Sequence, residues 1–308
     1  MAYIKISVYL ALHNNSFFDD FCTNINKVSK NNNIVIADIL LIILAFLGIL
    51  IATIVDLKTR EIPNWINFSM VAVALAIRLM HSVLTAEWFY ILYGLLGFAS
   101  MFLLGNLMYY TKQWGGGDSK LLFALGAIFA TKPYFIKNYP IPFLAVLFLA
   151  IIITGFFYSF FYSIVLAIIN RKEFWKEIKH RMNLHRKLRF LLTTLAVLIA
   201  ISSLFVIYYL KPLILSISAI IVFSTYWILF TKAVESSCLT KKVSISKITE
   251  GEWIVDENIL NKFKISKLGI TNQQIKALKQ AKIKEVLIKQ GIPFAPAFLI
   301  ALIILVSL

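Results

Sequence analysis

The chain has 308 residues, 60% of them hydrophobic and only 15% charged, yet it carries a formal net charge of +16 from 31 Lys+Arg against 15 Asp+Glu. A mean hydropathy of +0.81 leaves too little polar surface for a soluble globule of this size, so the charge does not signify a soluble nucleic-acid binder. The apolar content excludes intrinsic disorder, and two cysteines, Cys22 and Cys238, exclude a disulfide scaffold and any CxxC pair.

A multi-span membrane protein fits both the apolar content and the charge. Residues 1–12 form a weak apolar stretch containing Lys5, followed by a polar run to Asn33 without a small-residue cleavage pattern, so 1–33 reads as an N-terminal extension rather than a cleaved signal. A hydrocarbon core of about 30 Å needs roughly 20 helical residues. Eight runs of suitable character follow, at about 34–56, 64–83, 88–110, 119–136, 141–169, 190–209, 212–231 and 291–308, the fourth interrupted by Lys132 and Pro133. The expected architecture is therefore an all-α polytopic membrane protein of about eight transmembrane helices. It carries a small α+β cytosolic domain before the last helix. Its parts are a four-helix core at 34–136, additional spans at 137–231 with a basic loop at 170–189, the polar segment 232–290, and the final helix 291–308.

Short cytoplasmic loops carry the Lys/Arg excess. With both termini outside, the inner segments hold 24 of the 31 basic residues, eight of them in 170–189 and twelve in 232–290. Arg78 counts among the outer residues. Making the fourth run re-entrant would put the eight-charge loop outside, which is why eight crossings are expected. Within the polar segment, 242–248 alternates like a strand and 252–255 offers a second after Gly251. Thr271 reads as the N-cap of a helix running to Gly291.

Four acidic residues fall inside or beside the apolar runs, and such residues are expensive in a membrane. Asp38 and Glu87 lie at outer ends, where solvation by water suffices. Asp56 and Asp118 lie at inner ends, on one side of the membrane. Asp56 precedes a turn closed by Pro63, and by itself it reads equally as an interfacial partner of Lys58 or Arg60. Asp118 follows Gly115, Gly116 and Gly117, and by itself it reads as a helix N-cap. Two carboxyls within hydrogen-bond reach share a proton, so one can act as base on a water while the other acts as acid on a carbonyl oxygen. Such a pair hydrolyses a peptide without metal or cofactor, and its titration belongs to the pair.

GGGDSKLLFALG, preceded by DLKTREIPN, resembles the GxGD-type membrane aspartic peptidases, and among them the type IV prepilin and archaeal preflagellin peptidases. The closing stretch QGIPFAPAFLIALI is similar to the end of archaeal members. The resemblance implies catalysis by Asp56 and Asp118 on the cytosolic side of the plasma membrane, with Gly115, Gly116, Gly117 and Lys120 in the motif. The implied partners are pilin-like or archaellin precursors whose short basic leader lies in the cytosol. An archaellin-specific or presenilin-like protease is the neighbouring alternative. From another class, a proton- or cation-coupled carrier using the same two aspartates stays open, although carrier carboxylates usually sit near mid-membrane. Smaller archaeal relatives have about six spans, so 141–231 includes additional helices. The cysteine-rich loop of many bacterial relatives is absent, and nothing reads as a methyl-donor site.

Weaker signals lie elsewhere. Glu250, Glu252, Asp256 and Glu257 form the one dense acidic patch, a dock for a basic leader or else a solvated turn. His180 and His185 are five apart among cations, so no metal site is expected. The Trp- and cation-rich 171–189 loop suits an interfacial helix on anionic lipid rather than nucleic acid.

Overall fold

The computed structural model describes residues 15–307 other than 135, 138, 264, 266–268 and 282. Residues 1–14 of the expected extension lie outside the described residues. From Asn15 onward the backbone is already helical, in one helix with the first apolar run: α1 is Asn15–Thr59. No Gly or Pro occurs between 15 and 47 to interrupt the hydrogen-bond ladder.

The chain then forms α2 (Asn64–Thr85), α3 (Trp88–Tyr110), α4 (Gly116–Ile128), α5 (Phe143–Ile169), α6 (Arg171–Leu184), α7 (Arg186–Ser202) and α8 (Lys211–Val234). A small sheet of β1 (Thr240–Ser244), β2 (Trp253–Ile254) and β3 (Glu285–Lys289) follows, with α9 (Glu257–Lys262) and α10 (Asn272–Gln280) between strands. The final helix is α11 (Ala295–Ser307). Among the described residues, six segments are long and apolar enough to cross a membrane: Ile34–Thr59, Asn64–Thr85, Trp88–Tyr110, Phe143–Ile169, Arg186–Phe205 and Tyr208–Leu239. The chain is thus a mostly helical, multi-pass membrane protein with a small sheet. Large apolar side chains such as Leu103 and Phe89, both 70% exposed, face outward from these helices, as a lipid solvent allows. The fourth and eighth expected runs form helices of 13 residues each; α4 stops at Ile128, ahead of Lys132 and Pro133.

The described residues divide into two compact units, 15–156 with 293–307, and 157–292. In the first unit α4 is central, with residues 121–128 all buried. It approaches α3 closely because both are glycine-bearing at the crossing: a β-carbon on Gly97 would lie 2.3 Å from the Gly126 carbonyl oxygen, and one on Gly105 would lie 2.5 Å from the Phe123 ring. Small residues at crossings are the usual route to tight packing where lipid removes the hydrophobic drive between helices.

In the second unit β3 is the central strand, antiparallel to both neighbours, with Val243 opposite Val286 and Ile254 opposite Ile288. Ile245, Ile254, Ile270, Leu278, Val286 and Ile288 form its core. Thr271 caps α10 in a capping box with Gln274. The helix expected to reach Gly291 ends at Gln280, however, because Val286 and Ile288 recur at period two and pair into the sheet. Enlarging the α3–α4 crossing should be costly. Gly97→Val is expected to lower stability by about 1–3 kcal/mol, read as an earlier thermal unfolding transition of the detergent-solubilised protein.

Candidate active site

Asp56 lies in the last turn of α1, which ends where Arg60 adopts a left-handed conformation (φ 59°). The chain turns through Ile62 to Pro63, the extended residue before α2. On the other side, α3 ends at Tyr110, Lys112 is left-handed (φ 60°), and the chain reaches Gly115, the N-cap of α4. Asp118 is therefore the third residue of α4 and not its cap, which corrects the local reading of this aspartate. The Asp118 carboxyl folds back beside the cap, so that a β-carbon on Gly115 would lie 3.2 Å from Asp118 Oδ2.

The two turns interlock. Lys120 Nζ donates to Asn64 Oδ1 at 2.7 Å, and Asn67 Nδ2 donates to the Gly117 carbonyl at 3.3 Å. A β-carbon on Gly117 would lie 2.9 Å from Ile62 Cβ. Gly117 is thus required by packing against the Ile62 to Asn64 turn. Gly116 meets only the Tyr109 ring at 3.7 Å and Gly115 is exposed, so the start of the motif has open backbone.

Asp56 is only 4% exposed. Its Oδ2 accepts from the Ala295 backbone N–H at 2.9 Å, with the Phe294 N–H also bonding the carboxyl. The group that begins α11 thus meets the group that ends α1, across 239 positions of sequence. Trp114, just before the glycines, packs on Phe148, Phe294 and Phe298 at ring separations of 6.2, 5.5 and 5.5 Å. Asp118 interacts electrostatically with Asp56. Three stretches noted in the sequence, around 56–64, 115–120 and 294–298, thereby come together in one place. Asn67 and Trp114 were not singled out from sequence, while Asn64 and residues 294–295 lay inside the quoted DLKTREIPN and QGIPFAPAFLIALI stretches with no role assigned to them.

The acidic quartet lies in the second unit and is occupied locally. Glu250 accepts from the Asn272 N–H at 3.3 Å and from its Nδ2, which binds the other oxygen. Asp256 caps α9 by accepting from Asn258 and Ile259 N–H at 3.1 and 3.4 Å. Glu252 is half-buried, and the Glu257 side chain lies outside the described residues. Among the described residues no His/Cys/Asp/Glu cluster could hold a metal ion.

Asp38 overturns its expected solvation at a span end. It is 4% exposed, accepting from the Tyr90 hydroxyl at 3.1 Å and the Tyr134 N–H at 2.8 Å. Arg78, counted as an outer-loop residue, is fully buried within α2. Both depart from expectation because each finds partners on neighbouring helices that composition does not reveal.

Residues 41–169 match the type IV leader peptidase family. A preflagellin peptidase of Methanocaldococcus jannaschii is 38% identical over 86 residues, 28% of this chain and 36% of that protein. One of Methanococcus voltae is 36% identical over 85 residues, 28% of this chain and 36% of its own length, and one of Methanococcus maripaludis 30% over 86, 28% and 37%. The chain therefore spans little more than a third of the curated relatives it matches.

Proposed function

We propose that the type IV leader peptidase segment of this chain, residues 41–169, works as an aspartic endopeptidase in which Asp56 and Asp118 are the catalytic pair. The observation that carries this reading is the convergence of the two aspartates from different helices, supported by the Lys120 to Asn64 bond and by the amides of 294–295 on Asp56. One carboxylate takes a proton from water as its oxygen bonds to the scissile carbonyl carbon; the other carboxylic acid protonates the carbonyl oxygen. Collapse of the tetrahedral species breaks the C–N bond, and the amine leaves with a proton from the pair. Exchange of roles within the pair restores the starting state, so neither aspartate is permanently the base.

The substrate in this reading is a pilin-like precursor with a basic cytosolic leader, and the names of the relatives favour an archaellin precursor among these. A chain passing the exposed Gly115 and open Gly116 would meet the pair without a side chain in the way. The carrier reading is disfavoured because both aspartates stand at helix ends, Asp56 in the last turn of α1 and Asp118 in the first of α4. The proposed topology keeps eight crossings in the plasma membrane, the short α4 and α11 included, with the aspartate pair, the 170–189 loop and the sheet domain facing the cytosol. In a second, independent element of the proposal, the acidic quartet at 250–257 attracts the basic leader.

Cleavage of candidate precursors by membranes carrying the wild type, Asp56→Asn and Asp118→Asn tests the mechanism. Each substitution should lower the rate by about 10³-fold, and full activity in either would sink it. Paired Glu252→Lys and Glu257→Lys, which leave the Asp256 cap intact, should raise KM for a basic-leader precursor, and an unchanged KM removes the dock. Single cysteines placed in 171–189 and in the sheet domain should react with an impermeant thiol reagent only after the cytosolic face is opened. Labelling of intact cells would reverse the orientation.

A further inference from the structure

The first unit buries a second group of charges that the proposed chemistry does not use. Arg78 is 0% exposed, and a buried guanidinium is tolerated only when its donors are matched. Its Nε donates to the Ala127 carbonyl at 2.8 Å. Its Nη2 donates to the Ile128 carbonyl at 2.8 Å and to Thr131 Oγ1 at 3.1 Å, and its Nη1 donates to the Tyr90 carbonyl at 3.2 Å. The guanidinium carbon stands 4.5 Å from the centre of the Tyr90 ring. Gly94 makes the room, since a β-carbon there would meet Arg78 Cδ at 2.4 Å. The Tyr90 hydroxyl continues the chain of bonds to Asp38, which also holds the Tyr134 N–H.

Ala127 and Ile128 close α4, where carbonyls have no partner within the helix and the dipole favours a cation. Arg78 is therefore a side-chain cap at one end of α4, while Asp118 stands at the other. Asp38 and Asp56 both belong to α1 and are 18 residues apart, which is five turns of helix, so they lie on one face about 27 Å apart. Helices α1 and α4 are thus linked twice: Asp56 meets Asp118 at one end, and Asp38 reaches the α4 terminus through Tyr90 and Arg78 at the other.

We infer that Arg78, Tyr90 and Asp38 are positioning residues for the aspartate pair, setting the axial register of α4 against α1 and hence the separation of Asp118 from Asp56. A helix moves as a rod, so slippage at the capped end carries Asp118 with it, and a misplacement of about 1 Å can cost about 10²-fold in rate. The planar fork of Arg78 fixes the distance where a lysine, a single flexible point charge, would not. This inference rests on the peptidase reading of Asp56 and Asp118.

The test uses the full chain in detergent with Tyr90→Phe, Asp38→Asn and Arg78→Lys, leaving unaltered Arg60, which acts on Asp56, and Lys120, which holds Asn64. Tyr90→Phe keeps the ring and removes the hydroxyl, with its links to Asp38 and Thr131. Expected is a fall in kcat of about 10- to 100-fold per folded molecule with KM within about twofold, and no recovery in Arg78→Lys. A second readout needs no substrate: the carboxyl infrared band that disappears in Asp118→Asn should titrate at a displaced midpoint in Tyr90→Phe. Wild-type kcat and an unmoved band in Tyr90→Phe and Asp38→Asn would overturn the inference. Activity lost only in proportion to unfolded protein would overturn it as well. Should Arg78→Lys not fold, those two variants decide. Should the wild type cleave no precursor, the peptidase reading fails and the infrared band decides alone.

Discussion

Helix α4 passes through the middle of the first unit with residues 121–128 all buried, so water cannot satisfy its C-terminal carbonyls, while its N-terminal end at Gly115 is exposed. Every helix leaves its first N–H groups and last carbonyls without internal partners, and at the buried end of α4 a protein side chain must take the carbonyls. Arg78 takes the carbonyls of Ala127 and Ile128, and the Asp118 carboxyl lies back against Gly115. The glycines at 97, 105 and 126 bring α3 into contact with this helix. The placement of Asp118 depends on all of these, because a helix held at both ends has one axial position.

Asp56 depends on a different closure. Its carboxyl holds the first amides of α11, whose residues Phe294 and Phe298 pack on Trp114 beside the glycine run. The start of the last helix, the end of the first and the start of the fourth therefore share one polar focus surrounded by aromatic rings. The same shell that orders the backbone amides buries the Asp56 carboxyl, while Asp118 beside it stays partly exposed.

The second unit answers to ordinary soluble-domain rules around its sheet. Alternation puts Val286 and Ile288 inside, Asp256 and Thr271 begin helices with side-chain caps, and Lys289 pairs with Glu235 at 2.8 Å. Two of its carboxylates, Glu250 and Asp256, accept hydrogen bonds from its own backbone and from an amide side chain.

Much of this was legible in the sequence. Run lengths disclosed the six long membrane helices, and the Asp, Gly and Pro punctuation at 56–63 and 115–118 marked the two turns that meet. Thr271, followed by Gln274, announced a capped helix because the signal is local. The remainder depends on partners distant in the chain. Period-two burial turned 285–289 into a strand only because β1 and β2 were there to pair with it. Asp38 and Arg78 read as wet span-end charges because the sequence displays a residue's type and depth but not the Tyr90 hydroxyl or the α4 carbonyls that bury it. The sequence by itself determined which groups had to be matched inside a membrane; the tertiary structure decided which helix end matched each, since hydrogen-bond partners are chosen by geometry and not by adjacency.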